Sequence, residues 1–241
     1  MAGFAYAADM PARMPAKAPI MPPIYNWTGF YVGLNAGGSW GRQDHAVVSA
    51  TTGVAVLSNS DRIDGFVGGG QIGYNWQVNQ WVFGLEADFQ GSAQKGDGSF
   101  FVAPIVGAAA VPGLSATYSD KLEWFGTARA RVGWAFDRWM PYVTGGWAFG
   151  HGKLEGTAVS VATVAFNAGK DYSGWTVGGG VEWAFLNNWS AKVEYLYIDF
   201  GNVGPMAFAG TAPITLVTGS SRLTDNIVRV GFNYHFVPSI P

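Results

Sequence analysis

The chain has 241 residues, of which 12% are charged, and its 14 basic and 16 acidic side chains give a formal net charge of −2. Soluble domains carry about 25% charged residues, so this composition is poor in the charge that a water-exposed surface needs. The charges are scattered singly, without a basic patch for phosphates, which excludes nucleic acid as a partner. Cysteine is absent, which excludes disulfides, thiolate metal sites and cysteine nucleophiles.

Both ends of the chain differ in composition from its middle. Residues 1–8 resemble the end of a secretory signal peptide, with a cleavage site at residues 5–7. Residues 9–24 contain five prolines and are predicted to form an extended periplasmic leader. One alternating pattern then continues over 25–236, and we expect residues 237–241 to hang in the periplasm as a C-terminal extension. The sequence therefore predicts a single domain over 25–236.

Eight segments within 25–236 alternate apolar side chains with small or polar ones, which is the period of a β-strand. Each is about ten residues long, enough to cross a bilayer as a tilted strand. No run of eighteen apolar residues offers a membrane-spanning helix instead. The segments lie at about 30–40, 65–77, 81–92, 122–136, 140–150, 174–185, 189–200 and 225–236.

The links between these segments alternate in length. Three are short, near Asn79, Arg138 and Asn187. Four are long, at 42–63, 93–120, 151–172 and 202–222. Short turns on one side and long loops on the other are typical of transmembrane β-barrels. The sequence predicts an all-β fold, an eight-stranded antiparallel up-and-down barrel with short turns and both termini in the periplasm and four long loops outside.

Alternation alone also fits a soluble barrel with an apolar interior, and two features decide between the alternatives. The polar face is rich in Gly, Ala, Ser and Thr, which are the right size to fill a narrow lumen. Tryptophans also cluster beside the start of the first strand and the three short turns, as an aromatic girdle does at a membrane interface. The predicted girdle consists of Trp27, Trp76, Trp81, Trp134, Trp139, Trp183 and Trp189.

The polar face also carries four acidic and four basic side chains, and buried charges need partners. This balance favours a closed interior, with Glu182 level with Lys192 as a pair and with Arg129 and Arg131 bridging to acids on the third strand. Since eight strands enclose a space that side chains can fill, we expect the network to block the lumen. The predicted lumen charge network consists of Glu86, Asp88, Arg129, Arg131, Glu182, Lys192, Glu194 and Arg229.

Four motifs resemble the alphaproteobacterial outer-membrane β-barrel family of porin-like surface antigens. They are N-W-T-G-F-Y at 26–31, G-W-T-V-G-G-G-V-E-W-A-F at 174–185, K-V-E-Y-L-Y-I-D-F-G at 192–201 and D-N-I-V-R-V-G-F-N-Y-H-F at 225–236. The resemblance implies an OmpA-like eight-stranded barrel in the outer membrane of a Gram-negative cell. It also implies contact with outer-membrane lipid and lipopolysaccharide, and a role as structural protein and antigen. Some members of the family are called porins and others bind haemin.

The last strand of this family ends at an aromatic residue that the barrel-assembly machinery reads as a signal. Phe232, Tyr234 and Phe236 match this pattern, although five residues follow Phe236. The resemblance therefore implies that the assembly machinery is a partner and that Phe236 is the end of its signal.

Catalytic chemistry has little support in the sequence. Asp171 and Ser173 follow His151, but no spacing requires these residues to meet as a triad. The glycine runs at 68–70 and 178–180 lack the lysine of a phosphate-binding loop and indicate close strand packing instead. We expect no enzymatic activity.

Metal and haem sites have equally little support. Asp44, Asp61 and Asp64 lack the spacing of a metal-binding loop, so we expect no metal and no cofactor. His45 or His151 could supply an axial ligand to haem, which leaves a loop-borne haemin or ligand receptor as an alternative.

The leading functional hypothesis is an outer-membrane structural and surface-interaction protein, an antigen-like barrel whose loops meet host or surface ligands. A low-conductance porin-like channel is the other alternative. In the second predicted loop, the apolar stretch at 100–106 is expected to fold over the barrel mouth or to contact a partner or lipid headgroups.

Overall fold

The computed structural model describes residues 25–49, 55–102, 114–159, 163–208 and 217–236. These residues form β1 (Gly29–Ser49), β2 (Ala55–Val78), β3 (Trp81–Val102), β4 (Leu114–Trp134), β5 (Trp139–Val159), β6 (Thr163–Ala184), β7 (Trp189–Phe208) and β8 (Val217–Phe236). Over these ranges, no helix has the length and apolar character needed to cross a membrane.

The eight strands form a closed antiparallel barrel in sequence order. Each strand pairs with the next, and β8 pairs with β1 in a register that places Phe30 opposite Phe236. Closure removes the sheet edges from the turn half of the barrel. Toward the far end, the pairing of β2 with β3 stops at Asp64 and Lys95, and that of β6 with β7 stops at Trp175 and Asp199. The predicted fold is confirmed.

Three short turns lie at one end of the barrel, which we call the turn end; the opposite end is the far end. Asn79 and Asp137 adopt the left-handed conformation in two of these turns, with φ of 57° and 51°. Asn and Asp tolerate this conformation better than other residues with a side chain, which explains their use here. Residues 185–188 form the third turn. The predicted short links are confirmed.

The strands are longer than the sequence predicts, at 20 to 24 residues each. Much of every predicted long loop is strand: His45 pairs with Asn59, and Phe100 pairs with Ala116. The prediction of four long loops at 42–63, 93–120, 151–172 and 202–222 is therefore wrong in its boundaries. Regular apolar alternation stops where the strands leave the apolar band, but backbone pairing continues beyond it.

The outer wall of the turn half of the barrel is apolar. Leu34 is 72% exposed on this wall, while the adjacent Asn35 points inward and is 6% exposed. A belt of aromatic side chains borders the apolar band at each end. The belt at the far end, which the sequence did not predict, includes Trp40, Trp147 and Trp175. About ten residues of tilted strand separate the two belts, which gives the height of about 25 Å that is typical of a lipid-facing band.

Two apolar clusters lie inside the barrel, one near each end of the apolar band. The cluster near the turn end contains Trp27, Val82, Ala135, Met140, Tyr142 and Ala184. The cluster toward the far end contains Ile63, Val67, Leu122, Phe125, Ala148, Leu196, Ile198, Phe200, Leu223 and Ile227. The polar side chains described next lie between these two clusters.

The glycine runs occur where strands approach closely. A Cβ on Gly69 would collide with the carbonyl oxygen of Phe89, and one on Gly178 would collide with that of Tyr195. Both neighbours belong to adjacent strands. The predicted close packing is confirmed at Gly69 and Gly178, whereas a Cβ on Gly68 or Gly70 would come no closer than 3.6 Å to the nearest atom.

Candidate functional site in the barrel lumen

The eight charges predicted for the lumen all point inward, and each residue is at most 5% exposed. They come from β3, β4, β6, β7 and β8, since alternate residues of every strand point inward. The structure thus brings together Glu86, Asp88, Arg129, Arg131, Glu182, Lys192, Glu194 and Arg229.

Arg129 is the centre of this network and contacts three carboxylates. Its Nη1 donates to Glu194 Oε1 at 2.9 Å, and its Nη2 donates to Asp88 Oδ2 at 2.8 Å. Nη2 also donates to Glu86. As predicted, Arg129 bridges Glu86 and Asp88, and the bond to Glu194 extends the bridge across the lumen to β7.

Lys192 and Arg229 complete the network from β7 and β8. Lys192 Nζ donates to both carboxylate oxygens of Glu86, at 2.9 and 3.0 Å. Arg229 Nε donates to Glu194 Oε2 at 2.7 Å, and its Nη2 donates to Asp88 Oδ2 at 2.9 Å. Each of these two bases therefore reaches a carboxylate that Arg129 also contacts.

The predicted pair of Glu182 with Lys192 is wrong, although the two residues are level on adjacent strands. Lys192 extends into the lumen toward Glu86, while Arg131 Nη1 lies 3.0 Å from Glu182 Oε2. A long flexible side chain is not confined to its cross-strand neighbour when stronger acceptors converge at the barrel axis. Arg131 Nη1 also lies 3.6 Å from Glu86 Oε2, an ion pair that belongs to the predicted bridge, but Arg131 makes no ion pair with Asp88 among the described contacts.

Two tyrosines that the sequence analysis did not select support the network. Tyr31 Oη donates to Glu86 Oε2 at 2.6 Å, and Tyr142 Oη donates to Glu194 Oε1 at 3.0 Å. The guanidinium of Arg131 lies over both rings, 4.8 Å and 5.1 Å from their centroids. The sequence could have indicated both tyrosines, because alternation places them on the inner face of their strands. A buried Tyr ring is apolar, and its hydroxyl then needs a hydrogen-bond partner inside the barrel.

A serine, a histidine and a glutamate meet below the network, but their geometry does not suit nucleophilic catalysis. Ser190 Oγ donates to Glu182 Oε1 at 2.5 Å and lies 2.9 Å from His235 Nε2. Glu182 Oε1 also lies 3.2 Å from that same nitrogen. In a catalytic triad the acid and the hydroxyl contact opposite ring nitrogens. All three residues are at most 3% exposed, and Ser190 and His235 contact the buried Glu182 carboxylate through its Oε1.

Trp27 is not a girdle residue, which corrects the sequence analysis. It is fully buried inside the barrel at the turn end, and its Nε1 donates to the carbonyl oxygen of Asp137 at 3.3 Å. Its backbone N–H donates to Gln77 Oε1 at 2.8 Å. It precedes β1, so no strand alternation indicates its direction. Burial beside it raises the pKa of Tyr25 to about 12.

The other six tryptophans of the predicted girdle lie on the outer wall near the turn end. They contact each other and nearby aromatics; for example, the rings of Trp139 and Trp183 stack at 5.5 Å. The rings of Trp81 and Trp134 meet edge to face at 4.7 Å. The outward set is Trp76, Trp81, Trp134, Trp139, Trp183 and Trp189.

The three aromatics of the predicted assembly signal lie at the end of β8, beside the closing strand β1. Phe232 and Phe236 are more than half exposed on the outer wall. The ring of Tyr234 lies 5.1 Å from that of Phe236. All three therefore face outward at the seam where the barrel closes.

His151 contacts Asp171 beyond the aromatic belt at the far end. Its Nδ1 lies 2.7 Å from Asp171 Oδ1, while Ser173 Oγ accepts from Trp147 Nε1. The three residues therefore form no triad. Asp64 is exposed, and no group of metal-binding side chains occurs among the described residues. The side chains of His45, Asp44 and Asp61, and residues 103–106 of the apolar stretch, lie outside the described residues.

Two lysine–glutamate pairs surround His151 on the same outer face. Lys153 Nζ donates to Glu123 Oε1 at 2.7 Å, and Lys121 Nζ donates to Glu155 Oε2 at 3.0 Å. The hydrogen bond from Lys153 lowers the pKa of Glu123, and the same bond raises the pKa of Lys153. We call these four residues, with His151 and Asp171, the charged collar.

A closed eight-stranded barrel with a lipid-facing apolar band, two aromatic belts and a charged interior defines a transmembrane β-barrel of the outer membrane. Residues 10–236 match the family model described as outer membrane protein beta-barrel domain. The chain belongs to this family and is an outer-membrane protein.

Named relatives agree with this membership. The chain is 38% identical over 243 residues to the 31 kDa outer-membrane immunogenic protein of Brucella melitensis biotype 1, covering 90% of this chain and 88% of the relative. It is 30% identical over 239 residues to the 25 kDa outer-membrane immunogenic protein of Brucella abortus biovar 1, covering 96% and 91%. The 22 kDa outer membrane protein of Rhizobium leguminosarum bv. viciae is 32% identical over 181 residues, covering 74% and 66%. The predicted alphaproteobacterial resemblance is confirmed.

A solved structure supports the fold alone. The outer membrane protease OmpT from Escherichia coli superposes with a TM-score of 0.51 at 10% identity, covering 86% of this chain and 97% of that one. At this identity the similarity shows a shared barrel architecture and transfers no activity.

Proposed function

We propose that this protein is a filled anchor in the outer membrane, whose far end carries long strand hairpins outward to meet surface ligands. The observation that carries the proposal is the ion network around Arg129, which joins β3, β4, β7 and β8 across the lumen. A barrel that had to pass solutes would not place its charges in contact with one another across the space that the solutes need.

The layers above and below the network support the same function. Trp27 and its cluster occupy the lumen at the turn end, and the apolar cluster around Phe125 occupies it toward the far end. Water and ions would have to pass two apolar layers and a set of paired charges. A low-conductance channel, the alternative from the sequence, requires all three layers to open.

Charge balance supports a structural role for the network. Its four acids and four bases carry no net charge, and every one of them is within 4.0 Å of an opposite charge. Buried charges are tolerated when they are paired and hydrogen-bonded in this way, and the pairing fixes strand positions across the lumen.

The outward side chains beyond the aromatic belt at the far end suit contact with lipopolysaccharide. The charged collar alternates lysines with carboxylates at the height where lipid headgroups meet water. Lysines attract phosphate groups, and carboxylates bind the divalent cations that bridge such groups. Lipid and lipopolysaccharide therefore surround the barrel, while host or surface ligands meet the hairpins beyond.

Cysteine labelling of cells tests the direction of presentation, because the natural chain contains no cysteine. We expect a membrane-impermeant maleimide to label Glu155→Cys, at the far end, on intact cells. The matched variant Gln80→Cys, in a turn at the opposite end, should label only after the outer membrane is permeabilised. Labelling of Gln80→Cys but not of Glu155→Cys on intact cells would overturn the proposed orientation.

A further inference from the structure

The far end of the barrel divides into two sheets of four strands. The ladder between β2 and β3 stops at Asp64 and Lys95, and the ladder between β6 and β7 stops at Trp175 and Asp199. The two interruptions are four strands apart in the closed order of eight, so they lie on opposite sides of the barrel. Beyond them, β7, β8, β1 and β2 form one sheet, and β3, β4, β5 and β6 form the other. We call the interruption between β6 and β7 the seam.

The side chain of Asp199 explains where the seam begins. Asp199 is 2% exposed, and its Oδ1 accepts a hydrogen bond from the backbone N–H of Gly201 at 2.8 Å. Its Oδ2 accepts from Arg222 Nη2 on β8 at 2.5 Å. Gly201 has a φ of 67°, which favours glycine, and the pairing of β7 with β8 shifts register at this point. Asp199 therefore fixes a bulge that ties β7 to β8 where β7 leaves β6.

The seam leaves one side of β6 without a partner strand. Residues 163–173 pair with β5 on their other side without a register shift. Toward β7, no strand pairs with them within the described part of the chain. Successive residues of a strand direct their N–H and C=O groups to opposite sides, so every second residue presents an unpaired donor and acceptor to the seam. We call this side of 163–173 the β6 edge.

The other edges at the two interruptions are shorter or irregular. On β7, the ladder with β8 shifts register twice from Asp199 onward, and Pro205 has no N–H to donate. Across the barrel, the unpaired edges cover only 55–63 of β2 and 96–102 of β3. Native proteins blunt exposed edges with bulges or prolines, and the β6 edge contains neither. The β6 edge is therefore the one that keeps a regular template for another strand.

We propose that the β6 edge binds an extended peptide segment of a partner protein by strand addition. An extended backbone matches this edge because its own N–H and C=O groups repeat at the same spacing along one side. The sugars and acyl chains of lipopolysaccharide have no such repeat. The inference rests on the proposed function, in which the hairpins meet ligands outside the cell, and it defines the ligand as a polypeptide strand.

Amide hydrogen exchange of the full chain, folded in detergent micelles and followed by NMR, tests the proposal. In the free protein, every second amide of 163–173 should exchange fast, because only the others donate to β5. A probe peptide of alternating threonine and valine, with a lysine at each end for solubility, should slow these fast amides at least tenfold with saturation. The same peptide N-methylated at every residue cannot donate hydrogen bonds and should slow none of them.

Proline variants locate the binding edge. Of Ala165 and Phe166, the residue whose amide exchanges fast in the free protein faces the seam. Its replacement, Ala165→Pro or Phe166→Pro, removes that donor and keeps the pairing with β5, so peptide binding should weaken at least tenfold. The matched control is a proline on the β3 edge, Ser99→Pro or Phe100→Pro, chosen by the same criterion. This control should bind the peptide as the natural chain does.

Three results would overturn strand addition at the β6 edge. Slow exchange of every amide of 163–173 in the free protein would show that the seam is closed in solution. Equal slowing by the N-methylated peptide would show side-chain contact instead of backbone pairing. Slowing confined to 96–102 would place the peptide at the opposite interruption. If the peptide slows no amide while Glu155→Cys is still labelled on intact cells, strand addition fails and the outward presentation of the hairpins stands.

Discussion

Arg129 on β4 and Glu194 on β7 form an ion pair across the lumen, with Nη1 2.9 Å from Oε1. The two strands are not neighbours in the sheet, so the pair braces the barrel in a direction that backbone hydrogen bonds do not. Both side chains are at most 2% exposed. The brace therefore acts where water screens charges least.

Removing one member of this brace should destabilise the barrel strongly. Glu194→Gln leaves Arg129 and Arg229 short of a carboxylate, and breaking a buried ion pair costs about 3–5 kcal/mol. We expect a decrease of that size in the free energy of unfolding, measured with urea in lipid vesicles. Glu155→Gln, which breaks the partly exposed pair with Lys121, is the control and should cost far less. Equal losses in the two variants would show that the lumen network contributes no special stability.

Trp27 should stabilise the barrel from inside, although it precedes the first strand. Trp27→Ala removes a fully buried side chain and should cost about 3–5 kcal/mol in the free energy of unfolding. Trp76→Ala is the matched control because Trp76 is 47% exposed on the lipid-facing wall. If Trp76→Ala proved the more costly in the same urea titration, Trp27 would not be an internal plug.

The contrast between these two tryptophans shows what the sequence could and could not predict. Strand alternation assigned Trp76 and its neighbours to the outer wall correctly, because successive residues of a strand face opposite sides. Trp27 precedes the alternation, so only its tertiary contacts determine where it points. An aromatic residue beside a turn suits a position in the outer girdle and a position inside the barrel equally well.

The charge network was predictable in membership but not in pairing. Alternation and charge balance selected all eight residues, yet register alone paired Lys192 with Glu182. Side chains that meet at the barrel axis choose partners from distant strands, as Lys192 does with Glu86. That choice depends on the curvature of the closed sheet, which no local pattern encodes.

Strand ends and inward apolar residues were missed for a related reason. The apolar alternation reports where lipid ends, whereas the backbone pairing of β1 with β2 extends beyond it. Irregular register between Leu122 and Trp124 also changes which residues point inward. Leu122 thereby joins the interior cluster, which simple alternation through Trp124 does not predict.

Phe236 should contribute to assembly more than to the stability of the folded barrel. We propose that Phe232, Tyr234 and Phe236 are read by the assembly machinery, so Phe236→Ala should lower insertion yield severalfold in a reconstituted assembly assay. Phe30→Ala is the matched control: Phe30 pairs with Phe236 across the seam and is 58% exposed on the same wall. An equal loss of yield in both variants would indicate lost lipid contact rather than a lost signal.

Electrical recording in planar lipid bilayers tests most directly whether the lumen is filled. We predict that the natural chain, inserted from detergent into membranes bathed in potassium chloride, adds no discrete current steps to those of lipid and detergent alone. Discrete, reproducible steps that scale with salt concentration and change in Arg129→Gln would contradict the filled anchor and establish a channel through the network.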